Sequence, residues 1–263
     1  MTSSLSRGPG ARIAFDRLVA SKAPLLFLDL DGTLAPLVER PGAARVPDST
    51  RRLLRALRRG GAIVVLITGR SIDGALRVAP MPVDALLGDH GARALIDGQR
   101  SSWLPAETAR LTRAVAAVEA LIGRTPGLRL EQKERSLAIH LHIAGRHRNP
   151  IVREVARRLR LAGLRVLQGR RVIDAQLPGV NKGAAVERWL AHHSSDAVLY
   201  AGDDTTDEDA FRALRGRGTT IAVGPRARLA AFRTRDPATF ATWLARLAQA
   251  RASGSRRRNH SPA

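Results

Sequence analysis

LLFLDLDGTL, residues 25–34, is an apolar run that delivers two aspartates, Asp29 and Asp31, into a glycine turn. The run is short, apolar and ended by Gly32, which is the pattern of a buried parallel strand with a turn at its carboxyl end. Ligand sites gather beyond such strand ends. Carboxylates two apart on a strand leave on the same side, so Asp29 and Asp31 converge where a divalent cation could bind and a substrate phosphate could follow. Asp-Gly is also an ordinary turn dipeptide, so the reading rests on what the rest of the chain adds.

The pattern recurs at 197–209, AVLYAGDDTTDED, where an apolar run ends in Gly202 and then Asp203, Asp204, Asp207, Glu208 and Asp209. So dense an acidic cluster in a chain of formal net charge +21 needs a partner, and Mg²⁺ suits it because hard cations take carboxylate oxygens. Thr205 or Thr206 could instead N-cap a following helix with Asp207, Glu208 and Asp209 near its positive end. Capping accounts for Asp209 but not for Asp203 and Asp204 at the strand end. A third apolar run, AIVVLITGR at 62–70, ends in Thr68, Gly69 and Arg70: a hydroxyl, a backbone amide and a guanidinium for a phosphate. Lys182, in GVNKGAAVERWL, opens an amphipathic helix and is one of three lysines against forty-one arginines. An ammonium at a helix start is disfavoured by the dipole, so an anion is expected beside it.

Strand and helix alternate through 25–92: strand 25–30, helix 48–59, strand 62–67, helix 71–78 and strand 84–88 make βαβ units on a parallel sheet. Alternation returns with helix 182–192, strand 197–201, helix 206–214, strand 219–223 and helix 237–249, the last begun by Asp236 and Pro237. Between them lie helices 107–122 and 150–162, each followed by a hairpin, 128–143 and 164–177, a small α/β insert with an antiparallel sheet. In SLAIHLHI, period-two alternation puts Leu137, Ile139, Leu141 and Ile143 on one face and Ala138, His140 and His142 on the other.

With 263 residues, 44% of them hydrophobic and 3% aromatic, the chain can build one sizeable aliphatic core and a satellite domain. It has no cysteine, which removes disulfides, thiol catalysis and thiolate metal sites. No run of about eighteen apolar residues occurs, and MTSSLSRGPGARIAFDRLVASK lacks the apolar region of a signal peptide, so a cytoplasmic location with no membrane partner is expected. The arginines are scattered rather than gathered in one stripe, which argues against a nucleic-acid partner. SRRRNHSPA at the end is read as a disordered basic tail.

The order DLDGT, ITGR, NKG, GDDTTDED resembles the haloacid dehalogenase superfamily of phosphotransferases. The resemblance implies that Asp29 is the nucleophile, Asp31 the general acid and base, Thr68 a phosphoryl hydrogen-bond donor and Lys182 the charge-neutralising group. It implies Mg²⁺ on Asp29, the Asp31 carbonyl and Asp203, with Asp204 or Asp207 reached directly or through water. The fold expected is a Rossmann-like α/β core with a parallel sheet plus a smaller inserted α/β cap domain. GDHGAR (88–93), KERSLAIHLH (133–142) and VIDAQLPGVNKG (172–183) are similar to the trehalose-6-phosphate phosphatase family. That likeness implies sugar contacts from Lys133, Ser136, His140 and Asp174, with His90 and Gly91 near the junction of core and cap; Arg70, beside Gly69, either caps strand ends or touches substrate. The chain departs from that family at Arg93, His142, Asp174 and Gln176, which leaves the sugar open. The activity expected is hydrolysis of trehalose 6-phosphate. The alternatives are another sugar phosphate, such as a glycosyl phosphoglycerate, or an idle protein that binds a polyanion or a partner such as a trehalose-6-phosphate synthase. The domains expected are a flexible segment 1–22, a core of 23–95 with 178–250, a cap of 96–177 and a disordered tail of 251–263.

Overall fold

The computed structural model describes residues 3–4, 9–81, 83–103, 108–132, 135–142, 148–168 and 171–258. The chain divides into two units, 1–101 with 182–263 and 102–181.

The larger unit is built on one nine-stranded sheet. Its strands are β1 (Ser3–Ser4), β2 (Leu25–Leu28), β3 (Ile63–Ile67), β4 (Ala85–Gly88), β5 (Arg93–Ile96), β6 (Gln99–Ser102), β11 (Val198–Gly202), β12 (Thr219–Val223) and β13 (Phe232–Thr234). They lie in the order β1-β13-β12-β11-β2-β3-β4-β5-β6. The pairs from β1 through β4 are parallel and β5 turns back antiparallel on β4. Helices α1 (Pro9–Ala20), α2 (Asp48–Arg59), α3 (Ile72–Val78), α6 (Lys182–Leu190), α7 (Glu208–Ala213) and α8 (Pro237–Arg258) belong to this unit. Every residue of β2, β4 and β11 is buried, as expected of parallel strands covered on both faces. Leu26, Leu28, Val64, Leu66, Leu199 and Ile221 pack with Leu54 and Leu57 of α2 and Phe240, Leu244 and Leu247 of α8. From β2 the chain goes to β3 on one side, and the later β11 lies on the other. The carboxyl end of β2 is therefore the crevice where open α/β sheets bind ligands.

The smaller unit pairs helices α4 (Thr108–Gly123) and α5 (Arg148–Leu161) with strands β7 (Leu128–Gln132), β8 (Ser136–Leu141), β9 (Arg165–Gln168) and β10 (Val172–Gln176). The strands lie in the order β7-β8-β10-β9, all antiparallel. Leu137, Ile139, Leu141, Ile173 and Ala175 are buried with Leu111, Ala114, Val118, Val155 and Leu159 of the helices, so the alternation read in SLAIHLHI sets the packed face.

Four boundaries differ from the sequence reading. Residues 9–20 of the expected flexible segment are helical, because α1 packs on α8 and buries Leu18. The expected tail begins too early: α8 continues to Arg258. Arg251 is buried, with Nη1 donating to the carbonyls of Leu18, Val19 and Ser21 and Nη2 to those of Lys22 and Gly60. Residues 259–263 lie outside the described residues. The insert begins at 102 rather than 96, since β5 and β6 extend the large sheet, and it ends at 181 rather than 177, the larger unit resuming at Lys182 where α6 begins. No helix among the described residues is long and apolar enough to cross a membrane.

Candidate active site

Asp29 follows β2, Thr68 follows β3, Asp203 follows β11, and Lys182 opens α6. The parallel register holds these ends level: the Asp29 amide donates to Ala201 O at 2.9 Å and the Thr68 amide to Leu87 O at 2.9 Å. Lys182 is buried and bridges two carboxylates, with Nζ 2.6 Å from Asp29 Oδ1 and 2.7 Å from Asp207 Oδ1. Thr33 Oγ1 donates to the other Asp29 oxygen at 3.2 Å.

Four glycines make this convergence possible. Gly32 has φ +81°, and a Cβ there would stand 2.2 Å from Asp203 Oδ2, so the Asp-Gly turn is also the space in which Asp203 lies. A Cβ on Gly202 would meet Asp207 Cγ at 2.2 Å, and one on Gly183 would meet Asp209 O at 2.5 Å. On Gly69 it would strike His90 Cε1 at 2.6 Å, so His90 lies against the ITGR turn. His90 and Asp89 both have positive φ, 57° and 50°, a local strain of about 1–3 kcal/mol each of the kind that gathers at functional sites. The turn is held by Asp89 N on Arg70 O and His90 N on Thr68 O.

Asp207 is filled from all sides. Oδ1 accepts from Lys182 and from the Tyr200 hydroxyl at 2.7 Å, while Oδ2 accepts from the amides of Asp203 and Asp204 at 3.0 Å each. Asp203 faces the other way, its Oδ2 3.1 Å from Arg226 Nη2, with Arg226 Nη1 3.9 Å from Asp204 Oδ1. Arg70 clasps Asp31 with two bonds, Nε to Oδ2 at 2.6 Å and Nη2 to Oδ1 at 2.7 Å.

Oxygens of Asp29, Asp203 and Asp207 lie within 4.8 Å of one another, and all three residues are buried. Burial raises Asp203 to about 9, with the charges of Asp29 and Asp207 adding to it and Arg226 opposing it. Burial likewise raises Asp29 to about 7, against the pull of Lys182. Burial would lower Lys182, but the charges of Asp207 and Asp29 outweigh it and drive the ammonium upward. A crowd of buried carboxylates around one ammonium is short of positive charge, and its donors are all hard oxygens. A divalent cation at Asp29 and Asp203 fits that donor set.

In the insert, one face of the antiparallel sheet carries Ser136, His140, Asp174 and Gln176, since Asp174 stands opposite Ala138 and Gln176 opposite Ser136. Glu131, on the same face, accepts from His140 Nε2 at 2.7 Å, and His142 stacks on His140 with centroids 6.4 Å apart. Gln176 is buried, and neither atom of its amide has a hydrogen bond among the described residues. Lys133 lies outside the described residues. Arg93 begins β5.

Sequence reasoning overlooked Tyr200, Arg226 and Glu131. Tyr200 had a usable signal, being the one tyrosine of the chain, placed beside the acidic loop. Arg226 had none, as one arginine among many.

The trehalose-phosphatase family profile matches residues 27–229. A trehalose-phosphate phosphatase of Mycobacterium avium is 35% identical over 254 residues, covering 88% of this chain and 63% of the relative. An uncharacterized glycosyl hydrolase of Mycobacterium tuberculosis is 33% identical over 251 residues, covering 88% of this chain and 19% of the relative. The chain thus spans less than two thirds of the length of these relatives. A crystal structure of a trehalose-6-phosphate phosphatase related protein is 27% identical with a TM-score of 0.72, covering 88% of this chain and 99% of that one. The C-terminal domain of Candida albicans trehalose-6-phosphate phosphatase shares the fold at 24% identity and a TM-score of 0.80, covering 95% and 98%.

Proposed function

The chain belongs to the trehalose-phosphatase family, and from that premise we propose that it hydrolyses trehalose 6-phosphate through a phosphoryl group carried on Asp29. The observation that carries this reading is the buried Lys182 bridge between Asp29 and Asp207 at the carboxyl ends of β2 and β11. A carboxylate attacking a phosphate dianion must overcome like-charge repulsion, and phosphoryl transfer is catalysed chiefly by positioning and electrostatics. Lys182 fixes the Asp29 carboxylate and neutralises charge beside it. Thr68 Oγ1 accepts from the Arg70 amide at 3.2 Å, which leaves its own proton for a phosphoryl oxygen.

In the first step an Asp29 oxygen bonds to phosphorus and the bond from phosphorus to the sugar oxygen breaks, the departing oxygen taking a proton from Asp31. In the second, water gives a proton to Asp31 and attacks phosphorus, and the bond to Asp29 breaks. Asp31 must leave Arg70 to do this, and a substrate phosphate offers Arg70 an equivalent bidentate partner. Mg²⁺, held by Asp29, Asp203 and the Asp31 carbonyl, would supply further neutralisation of phosphoryl charge. Asp207, with its acceptor positions taken, serves by holding Lys182 and the turn at 203–204. Ser136, His140, Asp174 and Lys133 would recognise the sugar, and His90 and Gly69 would shape the phosphate end.

The test is phosphate release from a panel of trehalose 6-phosphate, sucrose 6-phosphate, glucose 6-phosphate and a glucosyl phosphoglycerate, with Mg²⁺ and with chelator. Trehalose 6-phosphate should exceed the others in kcat/KM at least about tenfold, the least that a lost set of sugar hydrogen bonds yields. Preference for another member would overturn the substrate, and full rate in chelator would overturn the metal.

A further inference from the structure

Arg226 stands on the loop after β12, and its side chain meets the acidic cluster at Asp203 and Asp204. The loop is not loose. Glu208, buried at the start of α7, accepts from the Arg228 amide at 2.5 Å and the Leu229 amide at 3.0 Å. Arg233 donates to Gly224 O and, at 2.5 Å, to Ala227 O. The Ala231 amide donates to Thr220 Oγ1 at 2.8 Å. With Ala227 buried, the backbone on both sides of Arg226 is fixed. Its guanidinium meets Asp203 at 3.1 Å while its side chain stays 37% exposed, tethered to the carboxylate yet with open solvent to swing into.

We propose that Arg226 is a built-in competitor of the divalent cation for Asp203, so that the site binds its metal more weakly than its carboxylates alone would. This rests on the reading that a metal binds Asp29 and Asp203. The sign follows from charge alone. Whether Asp203 is ionised or carries a proton when no metal is bound, placing a doubly charged ion on it makes the group facing Arg226 more positive. The guanidinium then loses attraction or gains repulsion, and either opposes binding. Glu208 and Arg233 prevent the loop from relaxing away, so only the Arg226 side chain can yield. A phosphate brought by substrate would restore a partner to it, which makes metal retention dependent on substrate.

The experiment is calorimetric titration of Mg²⁺ into the chelator-treated full chain, as wild type, Arg226→Ala, Arg226→Lys and, as a control for net charge, Arg235→Ala. Arg235 is exposed and paired with Asp236. Arg226→Ala should bind Mg²⁺ about three- to tenfold more tightly than wild type, the range of a partly screened unit charge. Arg226→Lys should fall between them, and Arg235→Ala should match wild type. The rise in Tm on adding Mg²⁺ should be larger for Arg226→Ala than for wild type. An unchanged or weaker affinity in Arg226→Ala overturns the inference while leaving the metal site standing. A wild type that binds no Mg²⁺ takes down the metal reading, and the inference with it.

Discussion

Asp207→Asn separates the carboxylate that holds the site together from the one that offers itself to a metal. Asp207 Oδ1 faces two donors, Lys182 Nζ and Tyr200 Oη, and Oδ2 faces two backbone amides. Asparagine keeps the shape but has one acceptor and one donor end. With its oxygen toward the amides, its NH₂ meets the ammonium, and the Tyr200 hydroxyl must turn round to accept. With its oxygen toward Lys182, the NH₂ meets two N–H groups that cannot turn. The first orientation is the cheaper, and it loses a buried charge-assisted bond of about 1.5–3 kcal/mol. Taken together with the counter-charge that the buried ammonium loses, the whole break falls in the range of a broken buried pair, about 3–5 kcal/mol. Against this, the charge of Asp207 no longer pushes on Asp29 and Asp203, which both feel it. A net loss of about 2–4 kcal/mol follows, or roughly 4–16 °C in Tm at about 2–4 °C per kcal/mol for a unit of this size. Thermal unfolding in chelator reads the loss directly. Asp203→Asn should behave in the opposite way, keeping or raising stability because a buried like charge is removed, while losing the Tm rise caused by Mg²⁺. If Asp207→Asn unfolds with wild type in chelator and has lost its response to Mg²⁺, the division of roles drawn from the hydrogen bonds is wrong.

Asp29→Asn should abolish phosphate release, whereas Asp31→Asn should lose turnover on trehalose 6-phosphate yet still take up phosphate from an activated aryl phosphate, seen as a mass increase, because a good leaving group needs no proton. Asp174→Ala should lower kcat/KM for the disaccharide phosphate by about ten- to a thousandfold and leave para-nitrophenyl phosphate nearly untouched; equal losses would make Asp174 a folding residue. Arg251→Met should cost about 3–5 kcal/mol in urea unfolding, since it strands buried carbonyls at the ends of α1 and α2, and a change under about 1 kcal/mol would return it to the solvated tail. The Asp84 carboxyl is held below its usual 3.8: its partial burial works the other way, but the bonds from Arg58 and the Val64 amide outweigh it. Its contribution is therefore present above that pH and lost as pH falls through the folded-state value. The stability gap between wild type and Asp84→Asn should be open at pH 7 and narrow by pH 2.

What was legible in the chain is what short-range physics enforces. The apolar runs at 25–28, 63–67 and 198–202 are strands because they are buried on both faces, and their terminal glycines mark turns that sterics demand. The insert sheet was legible for the same reason, as alternation cannot be moved by one residue without exposing Leu137 and Ile139. The β5–β6 hairpin was legible too and was overlooked. Asp97 and Gly98 sit between them with φ of 49° and 78°, the conformation that Asp-Gly favours in a two-residue hairpin loop. Helix α1 and the end of α8 could not be read locally. Ile13 is exposed and few of the α1 side chains are buried, while the reason that Arg251 is ordered lies in carbonyls at residues 18–22 and 60, far away in sequence.

Within the site, sequence placed the acidic residues but not their orientation. In GDDTTDED both Asp203 and Asp207 read as metal carboxylates, since each is an oxygen donor in a crowded loop. The backbone separates them. The turn at 203–204 directs two amides inward, and a buried amide must find an acceptor; Asp207 supplies it and is thereby committed on one side. Lys182, brought close by the contact of Gly183 with Asp209, and Tyr200, projecting from the strand, commit the other side. Asp203, whose own amide is already satisfied by Asp207, is left with its carboxylate turned toward Gly32 and Arg226. One loop of like residues thus splits into a member that organises the ammonium and a member open to exchange, and the split is made by backbone donors that no pattern of side chains records.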